Sequence, residues 1–91
     1  VPALTNLYKK TTDPDLKQAI IRSLNDISAP GCEDVLMDAL NDSISFVRRY
    51  AADALGNMKH IAAKDTLKKL SESDEDPDVQ RMAKEALTKI G

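Results

Sequence analysis

Apolar residues recur along this chain at a helical spacing, and the whole pattern is written three times. The segments Leu16–Leu24, Val47–Leu55 and Val79–Leu87 each open on an aliphatic residue and close on Leu eight positions later, with small or apolar residues four and seven along. A second set lies upstream of each: Leu4 and Leu7, Leu36 and Ala39, Leu67 and Leu70. Copies are offset by 31 or 32 residues, a period that defines stacked repeats whose units cannot bury their apolar faces alone.

Within each unit the spacing predicts two helices and no strand. The second helix of each pair is the clearer. Its core face reads Leu16, Ile20, Ser23, Leu24 and Ile27 in the first unit, and Val47, Ala51, Ala54, Leu55 and Met58 in the second. In the third it reads Val79, Ala83, Ala86, Leu87 and Ile90. Asp13-Pro14 and Asp76-Pro77 place an N-cap carboxylate before a proline at the first helical position, where the missing N–H costs nothing. Asp42 or Ser43 is expected to cap the middle copy, after a turn one residue shorter. Gly31 falls in a connection and Gly56 late in the middle helix. The first helices are expected at 2–11, 33–41 and 62–71. The units then run 1–30, 31–59 and 60–91 as one domain. The chain opens on Val1 and stops at Gly91 just after the third copy, which suggests a portion of a longer array.

The phrase Val47-Arg48-Arg49-Tyr50-Ala51-Ala52-Asp53-Ala54-Leu55-Gly56 resembles the signature helix of HEAT repeats. It is most similar to the short repeats of phycobilisome (bilin) lyases, and Val1-Pro2-Ala3-Leu4 resembles the opening of that family's first helix. The resemblance implies an all-α, right-handed α-solenoid of three stacked helix pairs, a HEAT-like or armadillo-like superhelix. It says little of function, because one fold hosts many. The ankyrin Thr-Pro-Leu-His turn and the aromatic positions of tetratricopeptide units are missing. The Arg that follows the opening aliphatic in the family is Arg48 in the second copy only. Lys17 and Gln80 replace it, so a ladder joining units through that Arg is expected to be incomplete.

Composition narrows the function classes. Aromatic residues make up 3% of the chain, so Ala, Leu, Ile and Val must build the core, which suits close helix packing. A net charge of −2 gives no overall pull on phosphate and counts against nucleic acid as a partner. No apolar run reaches a membrane span and no targeting peptide is visible. Cys32 is the single cysteine, and a lone thiol fits a reducing, cytoplasmic setting.

Catalytic constellations are scarce. Cys32 and His60 lie in equivalent connections about one repeat apart, beyond the reach a nucleophile and its base need. Asp74, Asp76, Asp78 and Glu85 match a calcium-loop spacing, but Val79 stands where the loop needs Gly and Pro77 interrupts it. Phosphate-cradling glycines are absent. The reading is a non-enzyme with no cofactor and no metal.

The expected function is protein binding. By resemblance to HEAT repeats the second helices line the concave side, where residues align as ladders across units. One ladder is Gln18, Arg49 and Arg81; its neighbours are Lys17, Arg48 and Gln80, then Ile21, Ala52 and Lys84, with Arg22, Asp53 and Glu85 beyond. Arg48 is assigned to inter-repeat contact. Gln18, Arg49, Tyr50, Arg81 and Lys84 are the candidate partner-binding residues, matched to an acidic or mixed-charge protein segment because Arg forks pair with carboxylates. The rival readings are a bilin-lyase subunit or maturation factor, and nucleic-acid binding along the basic ladder. Self-association is expected through apolar end positions: Leu4, Leu7 and Tyr8 at one end, Met82, Leu87 and Ile90 at the other.

Overall fold

Seven helical segments carry the chain in a computed structural model, which describes the backbone of residues 2–27 and 32–91 and the side chains of residues 6–24, 26 and 33–91. They are α1 (Pro2–Lys10), α2 (Pro14–Ile27), α3 (Cys32–Ala39), α4 (Ser45–Asn57), a 3₁₀ turn (Ile61–Ala63), α5 (Lys64–Ser73) and α6 (Pro77–Ile90). No strand occurs among the described residues. Gly31 and the side chains of Leu4, Ile27 and Cys32 lie outside them, as do the parts of the readings above that rest on these groups.

Pro14 and Pro77 open α2 and α6 as expected, with Asp13 and Asp76 accepting the N–H of Asp15 (3.0 Å) and Asp78 (2.8 Å). The middle copy departs from expectation. Ile44 is the N-cap of α4 with no side-chain cap, and Asp42 instead accepts the N–H of Ile44 at 3.0 Å. That connection, Leu40–Ile44, is longer than Thr11–Asp13 and Asp74–Asp76, not shorter. The end of α3 tightens into three-residue turns, with Asn41 and Asp42 N–H groups bonding the carbonyls of Asp38 and Ala39. The helix therefore closes before the predicted position. The third first-helix starts as a 3₁₀ turn and runs on to Ser73.

Repetition extends to the backbone turns. Thr11, Asp42 and Asp74 occupy equivalent places, and each side-chain oxygen accepts the N–H two residues on, from Asp13, Ile44 and Asp76. Helix α4 ends in a Schellman turn: His60 N–H bonds the Leu55 carbonyl and Lys59 N–H that of Gly56, with Lys59 left-handed at φ 53°.

Helix α4 is the centre of the molecule. It packs broadly against α2 on one side and α6 on the other, and α3 covers a further face. The smallest extent, 17 Å, matches two helix layers. The core is one aliphatic cluster containing Ile20, Ile21, Leu24, Leu36, Leu40, Val47, Leu55 and Leu67, with alanines at the closest approaches. At one of these, a Cβ placed on Gly56 would lie 2.7 Å from the Ala86 Cα. Only hydrogen at Gly56 lets α4 and α6 come this near. Tyr8, Leu40 and Ser71 fill one equivalent buried position, and the Ser71 hydroxyl donates to the Lys68 carbonyl at 2.7 Å.

Candidate functional site

Two sets of polar side chains cross the unit boundaries, one at the turns and one on the face of α2, α4 and α6. At the turns, Lys17 of the first unit bonds Asp42 of the second at 3.0 Å. One repeat later Arg48 bonds both oxygens of Asp74, at 2.9 and 3.0 Å. Arg48 also donates to the Asp42 carbonyl at 2.8 Å, and Gln80 donates to the equivalent Asp74 carbonyl. The ladder is thus more complete than the sequence suggests. Lys17 continues it, and only Gln80 drops the ionic contact. Tyr8 adds a phenol bond to Asp42 at 2.7 Å. Burial and this carboxylate push the Tyr8 phenol well above its ordinary pKa.

Two clefts open along this turn edge between the second and third units. One of about 250 Å³ lies among Leu40, Thr66, Lys69 and Leu70, and a second of about 500 Å³ lies by Ser43, Ser45 and Pro77. They meet at Arg48 and Glu75. The ion pair of Arg48 with Asp74 is already satisfied at the floor, leaving little for an incoming charge.

The second set gathers most of the predicted partner-binding residues. The Gln18 amide donates to the Tyr50 hydroxyl at 3.3 Å. Arg49 lies 5.3 Å and Arg22 6.0 Å from the Tyr50 ring centre, within cation–π range. Arg49 and Arg81 converge on one carboxylate, Asp78, Arg49 at 3.7 Å and Arg81 in closer contact. Gln18, Tyr50, Arg49 and Arg81 therefore form one strip across α2, α4 and α6.

Two members of that strip were not among the candidates. Arg22 follows Gln18 by one helical turn and so shares its face. Asp78 precedes Arg81 by three residues, again a helical neighbour. Both signals were present in the spacing.

Lys84 belongs elsewhere. Its counterparts Ile21 and Ala52 are fully buried, not solvent-facing as the ladder reading required. Ala52 shares a stripe with Gly56, which meets α6, so this position faces the neighbouring helix. Lys84 is exposed on the far side of α6 and makes no ion pair among the described residues. Asp53 turns to Lys89 at 3.5 Å.

The carboxylates of the calcium-like spacing are separately engaged: Asp74 by Arg48, Asp78 by two arginines, and Asp76 as a helix cap. The Asp78 N–H and the Ser45 hydroxyl hold the Asp76 carboxyl below the usual carboxylate range. No group of three or more His, Cys, Asp or Glu side chains converges as a metal site among the described residues. No helix there is long and apolar enough to cross a membrane.

Among end positions, Tyr8 is buried while Leu7 is 42% exposed. Met82, Leu87 and Ile90 pack partly against the core.

Helix pairs repeated at a near-constant period, joined by equivalent turns and an inter-unit ion ladder, define an all-helical repeat protein. The model of the family described as HEAT repeats matches residues 1–88, and the chain belongs to that family. A search of curated proteins gave no matching relative.

Proposed function

We propose that this chain is a non-catalytic protein-interaction scaffold, and that the face of α2, α4 and α6 receives an acidic segment of a protein partner. The carrying observation is the continuous strip of Gln18, Tyr50, Arg49 and Arg81 over three units, with three guanidinium groups counting Arg22 and one internal carboxylate. That balance leaves excess positive charge on a chain whose net charge is −2. HEAT repeats commonly serve as interaction scaffolds, which supports the reading. We take the units as 1–30, 31–59 and 60–91 of a right-handed solenoid.

The test is affinity capture from the source lysate with this chain and its Arg49→Glu/Arg81→Glu variant, partners being identified by mass spectrometry. A protein held by the first and lost by the second, with helicity and melting unchanged, is the expected result. Equal recovery by both would remove the strip as the binding site.

A further inference from the structure

We propose that the strip holds its partner as an extended polyproline II chain lying across α2, α4 and α6, with two acidic side chains three residues apart. One displaces Asp78 from between Arg49 and Arg81. The other meets Arg22 beside Gln18 and Tyr50. This deepens the scaffold reading above and rests on it.

The strip contains two anion positions that share Arg49. One is already filled, and its occupant shows what fits: a single carboxylate reaches both Arg49 and Arg81. The other lies at the Tyr50 ring, flanked by Arg22 and Arg49, with the Gln18 amide at the phenol edge. No carboxylate pairs with Arg22 among the described residues.

Spacing selects the conformation. The two positions lie along a line crossing neighbouring helices, which pack about 8–10 Å apart. A polyproline II chain rises roughly 3.1 Å per residue with three residues per turn, so residues three apart share one side and fall about 9 Å from one another. In a helix such residues lie only about 5–6 Å apart, too close to serve both positions. Adjacent acids on a polyproline II chain are turned about a third of a revolution apart and cannot both face the strip.

Asp78 is suited to displacement. Its side chain is 49% exposed, so leaving the arginines costs little desolvation. It stays on the first turn of α6, where negative charge is favoured. Asp78 thus acts as an internal competitor that an incoming carboxylate must outbid, and its removal should tighten binding.

The experiment is fluorescence anisotropy at low salt on the full chain with two labelled peptides of equal composition, Gly-Glu-Ser-Gly-Glu-Ser and Gly-Glu-Glu-Ser-Gly-Ser. The spaced peptide should bind at least about threefold more tightly. Asp78→Asn should raise its affinity by a similar factor, and Arg22→Gln should erase the preference while circular dichroism stays unchanged. Equal binding of the two peptides, or no gain with Asp78→Asn, overturns the inference. If both peptides bind equally and Arg49→Glu/Arg81→Glu abolishes both, the scaffold reading survives and only the spacing fails. If neither peptide binds the wild type or Asp78→Asn, the acidic-partner reading falls with it.

Discussion

Arg48 grips both oxygens of Asp74 across the boundary between the second and third units, at 2.9 and 3.0 Å. The Asp74 side chain is only 4% exposed, so the pair is largely withdrawn from water. Removing Arg48 leaves the Asp74 carboxylate buried with the Asp76 N–H as its remaining partner and no countercharge, at a cost of about 3 kcal/mol. Arg48→Met should lose that much in urea denaturation. Lys17→Met should lose only about 1 kcal/mol, because Asp42 keeps bonds from Tyr8 and the Ile44 N–H. Equal losses would mean that the two rungs of the ladder are interchangeable.

Acid should weaken the fold through the same turns. Burial alone would raise the Asp42 pKa, but the Tyr8 hydroxyl, the Ile44 N–H and the Lys17 ammonium together hold it below the ordinary value. Asp76 is lowered too. The unfolded carboxyls titrate near about 3.9, so below that pH the unfolded chain binds more protons than the folded one. Their contribution is present above that pH and is lost as pH falls through the lower folded values. Asp42→Asn should flatten the decline in denaturation midpoint measured across this acid range. An unchanged slope would locate the acid sensitivity elsewhere.

The repeat period and the aliphatic faces were legible because every unit must bury the same stripe against its neighbours. Asp13 and Asp76 were legible as caps because Pro follows each. Ile44 carries no such signal, and there the sequence pointed to the wrong residues. The Ile21, Ala52 and Lys84 ladder was misplaced for a different reason. A helix in a stack buries two faces, and the periodicity of one helix does not say which flank meets the next unit. Arg48 was readable as an inter-unit residue, but its acceptor Asp74 required the fold. The convergence of Arg49 and Arg81 on Asp78 likewise depends on how α4 approaches α6.

Gly56 sets that approach. In an exposed helix Gly→Ala would gain about 1 kcal/mol from backbone entropy. Here the new Cβ would meet the Ala86 Cα at 2.7 Å and its Cβ at 2.8 Å, so backbone would have to move. Overpacking of this kind costs about 1–3 kcal/mol. Gly56→Ala should therefore be destabilising by urea denaturation despite its propensity gain, and a stabilised variant would refute the close packing of α4 on α6.

Lys59 presents the opposite case. It holds a left-handed conformation at the end of α4, where the Schellman turn favours Gly. Its side chain is exposed, so little packing is lost on its removal. Lys59→Gly should stabilise the chain by roughly 0.5–1 kcal/mol. Lys59→Ala keeps the Cβ and should bring no such gain. The comparison matters because both variants delete the same charge: a gain in both would trace the effect to charge, while a gain in Gly alone traces it to the backbone.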